Sequence, residues 1–320
     1  MTQPRTTTLR VPSLPEPVRL DVFLAGREIA ATRSQAKTWI DAGLVRVDGR
    51  VRKAGFTIAG GESIEVERAA PPPARAEPED LPLALLYEDE DLLAIDKPPG
   101  MVVHPAPGAW TGTVVNALLH RGLVARAPTD DRPGIVHRLD KETSGVLLVA
   151  RNEHTKLALS RAFHDRRVKK TYLAIVLGVP RAKAGSIDWP IGRHRRERKR
   201  MSIRSRTPRV ALTRYEIVEA FARLALLRLE PETGRTHQIR EHLSAIGHPV
   251  LADPLYGARK GRALPANGPG SDFARQALHA AAIELTHPAS GETLRVSAPL
   301  PRDMRELLEQ LARSSSEKRS

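Results

Sequence analysis

Residues 134–150 restrict the fold more than any other stretch. Gly134-Ile135-Val136-His137-Arg138-Leu139-Asp140-Lys141-Glu142-Thr143-Ser144-Gly145 is a largely polar segment bracketed by glycines, and Val146-Leu147-Leu148-Val149-Ala150 follows without a break. The short apolar run reads as a buried strand. The segment before it is then a polar loop held by that strand. One acid in the loop, Asp140, has two basic neighbours in sequence, His137 and Arg138. A nearby cation lowers a carboxylate's pKa. An ionised carboxylate on a rigid frame is what nucleophilic catalysis by Asp needs. Taken alone, the loop reads better as a surface turn with a local ion pair.

Charge narrows the choice. The chain has 320 residues and a net charge of +14. Such an excess points to a polyanionic partner, nucleic acid first and an anionic membrane surface second. No apolar run approaches the roughly 18 residues that a membrane span needs, and Met1-Thr2-Gln3-Pro4-Arg5 lacks the apolar core of a signal peptide. There is no cysteine, which excludes disulfides, thiolate metal sites and thiol catalysis and suits a reducing cytoplasm. With three Trp, four Tyr and five Phe, aromatic stacking platforms are few.

The chain divides into segments. Residues 1–17 carry four prolines and no periodicity, and are expected to form a flexible arm. Residues 18–67 read as a small α/β unit. Leu20, Phe23 and Leu24 fall at helical spacing, and Ser34 is the expected cap of a second helix over 35–42. Leu44–Val51 reads as a hairpin turning at Asp48-Gly49. Arg33, Lys37, Arg46, Arg50, Arg52 and Lys53 surround that helix and hairpin; they are either a solvated basic face or phosphate contacts. Residues 68–80, with Pro71-Pro72-Pro73, read as a semi-rigid linker.

Residues 81–312 form one large expected domain, and residues 313–320 a disordered tail. Within the large domain, strands are expected at 83–87, 92–95, 170–176 and 222–229, with helices at 113–119 and 155–165. The basic tract His194–Arg200 reads as a hairpin loop between strand-like segments. Tyr172 opens an aliphatic strand and reads first as a packing residue with its hydroxyl at the rim. Lys97 reads as part of a structural loop or as a phosphate contact. His104 and His120 read as packing or surface residues. His237 and His242 stand five apart with no acid at a metal-like spacing, so no metal site is expected.

His137-Arg138-Leu139-Asp140-Lys141-Glu142-Thr143-Ser144-Gly145 closely resembles the active-site motif of the pseudouridine synthases of the RluA family. Further segments between Tyr87 and Gly257 resemble that family in the same order, among them Lys97-Pro98-Pro99-Gly100, Lys170-Thr171-Tyr172, Gly234–Arg240 and Asp253-Pro254-Leu255-Tyr256-Gly257. Ala252 stands where a Gly is usual before that Asp. Residues 18–67 resemble the alpha-L, ribosomal-protein-like RNA-binding module. The resemblance implies an α+β fold: a mixed, mostly antiparallel sheet with flanking helices and an RNA cleft across it, plus the small N-terminal α/β RNA-binding domain. It also implies roles. Asp140 is the catalytic carboxylate, Tyr172 packs on the target base, and Arg240 pairs with Asp140, with Arg235 held second for that task. Arg138 is the side chain that fills the vacancy left by a flipped base. Arg138, His137, Arg235, Arg33, Lys37, Arg46 and Arg50 are the expected RNA contacts.

The implied reaction turns uridine into pseudouridine. The bond from ribose carbon 1 to nitrogen 1 breaks, the base turns, and carbon 5 rejoins the sugar. Nothing is oxidised, so no cofactor and no metal are expected, and the chain has no Walker loop or dinucleotide fingerprint. The base must leave its stack first. Asp140 attacks carbon 6 or ribose carbon 1, or the base departs to a glycal-like intermediate; the residues leave these open. The expected substrate is large-subunit (23S) ribosomal RNA, in ribosome assembly intermediates, with transfer RNA as the alternative. A cytoplasmic monomer is expected. The rival readings are a non-catalytic RNA-binding protein and a phosphate-handling enzyme using Asp96, Lys97 and His137.

Overall fold

The computed structural model describes residues 5–27, 29–30, 32–68, 76–106, 109–124, 132–197, 199–257 and 268–317. The chain separates into two compact units, residues 1–74 and 75–320.

The first unit contains β1 (Arg5–Arg10), β2 (Val18–Arg19), α1 (Leu20–Gly26), α2 (Arg33–Asp41), β3 (Val45–Val47), β4 (Arg50–Val51), β5 (Thr57–Ile58) and β6 (Ser63–Arg68). One sheet runs β1-β6-β3-β4, and β2 pairs β5. Leu20, Leu24, Ala36, Ile40, Val45, Val47, Ile58 and Ile64 close a core of their own. The β3–β4 turn carries positive φ at both Asp48 and Gly49, the geometry that matches strand twist in a two-residue hairpin. Two expectations are corrected here. Residues 5–10 are not a flexible arm but a strand antiparallel to β6 from Arg5↔Arg68 to Arg10↔Ser63. Thr6-Thr7-Thr8 is β-branched, and the strand covers an edge of β6 that would otherwise stand open. The cap of α2 is Thr32, whose side chain accepts the Gln35 N–H; Ser34 lies inside the helix.

The second unit contains β7 (Ala84–Glu88), β8 (Leu92–Lys97), α3 (Val114–His120), β9 (Ser144–Ala150), α4 (Glu153–His164), β10 (Lys169–Leu177) and β11 (Ala184–Ile187). It continues with β12 (Gly192–Arg193), β13 (Met201–Ser202), β14 (Thr213–Ala220), β15 (Leu224–Pro231), α5 (Gln238–Ala245), β16 (Leu278–Thr286), β17 (Thr293–Ser297) and α6 (Arg302–Glu317). The main sheet runs β11-β14-β15-β10-β16-β9-β8-β7, with β17 also on β16. Its pairs are antiparallel except β16 with β9, at His279↔Ser144 and Ala280↔Gly145. The α+β class and the mostly antiparallel sheet are as the resemblance implies.

Strand β9 is buried along its whole length, which is why it reads as an unbroken apolar run. Leu147 and Val149 pack with Val114 and Leu118 of α3. Val146, Leu148 and Ala150 pack on the other face with Leu159 of α4. A third cluster joins β10 and β15 to α5 and to Met304, Leu307 and Leu311 of α6.

Two more boundaries differ from expectation. Residues 69–75 of the expected linker lie outside the described residues, but 76–80 are tied to α3 and to the turn before it. Glu77 O accepts Asn116 Nδ2, and the Glu79 carboxylate accepts Gly112 N–H. The expected disordered tail begins too early, because α6 continues to Glu317; residues 318–320 lie outside the described residues. Ser314 Oγ donates to Gln310 O and Arg313 pairs with Glu309, contacts that an apolar-periodicity reading does not register. No helix among the described residues is long and apolar enough to cross a membrane.

Candidate active site

Asp140 sits in the loop that enters β9. Main-chain and side-chain partners fasten that loop at nearly every residue. His137 Nε2 accepts the Leu148 N–H at 2.8 Å, and the imidazole stacks on Phe163 with ring centroids 4.6 Å apart. Leu139 is buried in the core beside α3. Thr143 N–H donates to Asp140 O at 3.0 Å. Lys97 Nζ reaches Lys141 O at 3.0 Å and also Pro98 O and Met101 O. Arg275 Nη1 donates to Glu142 O at 3.0 Å, and Gln276 Nε2 to Thr143 Oγ1 at 2.7 Å.

Lys97 is fully buried, and burial pulls its pKa down to about 7. Three carbonyl acceptors nonetheless match the three N–H bonds of an ammonium, not of an amine. This side chain ties the loop after β8 to the loop of Asp140, the structural role of the two read from the sequence.

The partner of Asp140 comes from 100 residues further along. Arg240 lies on α5 and Nη1 donates to Asp140 Oδ2 at 2.8 Å. Its Nε and Nη2 form a fork on Asp253, at 2.6 and 2.9 Å. Burial would lower the pKa of Arg240, but the bonds to Asp253 and the charges of Asp253 and Asp140 outweigh it and raise it. Asp253 is also held from below, accepting the N–H groups of Leu255 and Tyr256. The chain therefore builds a carboxylate–guanidinium–carboxylate array, with Asp253 buried and Asp140 facing the opening. Ala252, which replaces the usual Gly, takes a left-handed φ of 55° and so adopts the backbone that a Gly would supply.

Asp140 opens into a cleft of about 530 Å³, also lined by Arg138, Phe163, Lys170, Tyr172 and Arg235. That volume is within the range of small-molecule sites, roughly 300–1,000 Å³. Tyr172 enters from β10 at a register shift against β16. Burial raises its phenol pKa, and the Asp140 charge adds to the effect. Lys170 also lines the cleft, its pKa lowered to about 8 by burial and then by Arg166.

The structure brings Asp140, Tyr172, Arg240, Arg138, Arg235 and His137 to one cleft. Arg235 is not the partner of Asp140: its Nε donates to Val210 O at 3.1 Å. Arg138 is exposed. His137 lines the cleft as a neutral group. Burial first, and Lys170 second, lower its pKa to about 3, and its Nε2 lone pair is occupied by the Leu148 N–H. A neutral imidazole so fastened offers no charge to a phosphate.

In the first unit, Arg33 pairs with Asp21 at 3.2 Å and Lys37 pairs with Asp41. Arg46 and Arg50 are exposed on β3 and β4. Lys37 also lines a shallow groove with Arg19, Arg52, Lys53 and Phe56. The basic tract forms the expected hairpin, β12–β13; Arg198 within it lies outside the described residues. Sequence reading weighed His237 only as a metal ligand; it reaches the site through a left-handed backbone at φ 54°.

Among the described residues, one grouping has metal-type side chains, Asp89, Asp91 and His287. Its atoms are engaged within the fold. His287 Nε2 meets Asp89 Oδ2, His287 Nδ1 faces the N–H groups of Ala289 and Ser290, and Asp91 Oδ1 accepts Asn152 and Thr155.

Residues 91–245 match the RNA pseudouridylate synthase family and residues 18–64 match the S4 domain. An uncharacterized RNA pseudouridine synthase of Chlorobaculum parvum is 41% identical over 95% of this chain and 97% of its own length. The ribosomal large subunit pseudouridine synthase D of Xanthomonas campestris is 41% identical, covering 98% of this chain and 96% of that relative. Among solved structures, human RNA pseudouridylate synthase domain containing 4 superposes with a TM-score of 0.56 at 30% identity, over 72% of this chain and 93% of that one. With identity of this extent along almost the whole chain, the protein belongs to the RNA pseudouridylate synthases, isomerases acting on RNA, and carries an S4 domain ahead of its catalytic unit.

Proposed function

We propose that the chain isomerises specific uridines in large-subunit (23S) ribosomal RNA, with Asp140 as the nucleophile. The observation that carries the site assignment is the Arg240–Asp140 pair at the floor of the cleft, with Tyr172 in the same wall. A guanidinium anchored on Asp253 keeps one Asp140 oxygen in a fixed direction while the carboxylate still reaches the opening. Tyr172, protonated and apolar-faced, stacks on the flipped uracil. Arg138, exposed beside the nucleophile, fills the gap in the RNA stack. Arg235 and Lys170 attract phosphate near the cleft; Arg46, Arg50 and Lys37 do so on the first unit. His137 is left out of that set.

The choice of ribosomal RNA is supported by the relatives named ribosomal large subunit pseudouridine synthase D, which match along almost their whole length. The protein acts as a monomer in the cytoplasm, and light scattering of the purified chain tests the first point. The decisive experiment maps pseudouridine in total RNA with and without the gene, then complements with wild type or Asp140→Asn. The expected result is loss of particular 23S sites, restored by wild type only, with RNA affinity of the variant retained. Pseudouridine lost from transfer RNA instead would reassign the substrate; an active Asp140→Asn protein would remove the nucleophile.

A further inference from the structure

Asp140 has two carboxylate oxygens, and Arg240 holds one of them. Oδ2 accepts Arg240 Nη1 at 2.8 Å. Oδ1 faces His237 Nε2 at 3.9 Å, longer than a hydrogen bond. His237 precedes α5 with φ 54° and ψ 22°, a left-handed backbone that a residue with a Cβ adopts against a steric penalty. Such strain at a cleft is a reason to look for what it aims.

The tautomer of His237 follows from its other contact. Nδ1 lies 3.0 Å from the Tyr256 hydroxyl, and the two rings meet edge to face, 5.6 Å apart at 83°. That hydroxyl already accepts the Met201 N–H at 2.7 Å. Its own proton then goes to Nδ1, since the other acceptor, Met201 O, is farther away at 3.4 Å. Burial raises the Tyr256 pKa, so the phenol keeps that proton. A neutral imidazole with Nδ1 as acceptor carries its hydrogen on Nε2, the nitrogen that faces Asp140. Burial lowers the pKa of His237, which keeps it neutral.

We propose that His237 is a positioning residue for the isomerisation: its Nε2–H, oriented through Tyr256, fixes the direction of Asp140 Oδ1, the oxygen left to meet the uridine. A carboxylate held at one oxygen can still swing about its Cβ–Cγ bond. A second donor on the other oxygen sets its plane. The 3.9 Å separation closes when a nucleotide fills the cleft and drives out water, as catalytic hydrogen bonds do on substrate binding. This inference rests on Asp140 as the nucleophile.

The test compares His237→Ala, His237→Gly, His237→Gln and Tyr256→Phe with wild type and Asp140→Asn, on a stem–loop RNA of the mapped site. kcat, KM and RNA affinity are measured, with circular dichroism on each protein. Gln carries an N–H near the Nε2 position; Gly removes the ring and relaxes the backbone. Ala and Gly are both expected to lower kcat about 10–100-fold with KM within about threefold of wild type, and Gln to recover to within about fivefold. Tyr256→Phe, which frees the tautomer, is expected to fall between. The proposal is overturned if Ala turns over like wild type, if Gly regains what Ala loses, if Gln is as slow as Ala, or if only KM changes. Should Ala or Gly fail to fold, an active Gln with a slowed Tyr256→Phe supports the proposal, and the reverse pair rejects it. A turning-over Asp140→Asn would instead mark failure of the nucleophile assignment.

Discussion

Arg240 holds Asp253 through two N–H groups and Asp140 through a third, all fixed in one guanidinium plane. Lysine would bring one point charge on a flexible stem, so it could serve Asp253 or Asp140 but not both in a fixed plane. Arg240→Lys is therefore expected to lower single-turnover rate by about 100-fold or more, with RNA affinity little changed, because an interaction that acts in the transition state is lost. His137 allows a prediction about pH. Its pKa falls to about 3 in the fold, against about 6.5 when unfolded. The unfolded chain thus binds more protons between those values, so the His137 contribution is fully present above about pH 6.5 and is lost as pH falls toward 3. Gln at this position can accept the Leu148 N–H and does not titrate. His137→Gln is expected to flatten the decline of melting temperature between pH 6.5 and 4, a difference read by calorimetry across that window.

At the scale of elements, α6 braces the catalytic loop without approaching the cleft. Asp303 on that helix holds the Arg275 guanidinium at 2.6 and 2.9 Å, and the same guanidinium holds Glu142 O, two residues after Asp140. Asp303→Asn weakens one end of that brace. It is expected to slow turnover severalfold while leaving KM near wild type, seen in the same stem–loop assay. The β9–β16 contact is a second junction. Gly145 has φ 108°, and a Cβ there would lie 2.2 Å from Ala280 O. Gly145→Ala must push the two parallel strands apart, and is expected to destabilise the unit by at least about 3 kcal/mol, measurable by urea unfolding.

For the whole molecule, charge and division into units make a joint prediction. The first unit has its own core and a separate match to the S4 domain. Removing residues 1–74 takes away Arg46, Arg50 and the groove cations but leaves the cleft intact. The fragment 75–320 is expected to isomerise a short stem–loop at near full rate, yet to bind long ribosomal RNA more weakly and with a shallower dependence on salt, since fewer phosphates are neutralised. Filter binding from low to high salt measures both slopes.

Much of this was legible in the residues themselves. The β9 run and the Asp-Gly hairpin follow from local periodicity and turn chemistry, which need no partner to be read. Asp140, Tyr172 and Arg240 were named from motif resemblance, and the fold brings them to one cleft. What local pattern does not carry is pairing. Residues 5–10 pair along the edge that β6 offers, and His137 became a fastener because Leu148 offered an N–H. Whether Arg235 or Arg240 meets Asp140 depends on how α5 and the turn before it are set against the loop, and on Asp253 to hold the fork. The left-handed turn of His237 exists only under the constraint of its surroundings. Sequence fixes which chemical groups are present and how each segment prefers to bend. Which groups lie within three ångströms of one another is decided by long-range packing, because donors and acceptors 100 residues apart find a common direction only once the sheet that carries them has closed.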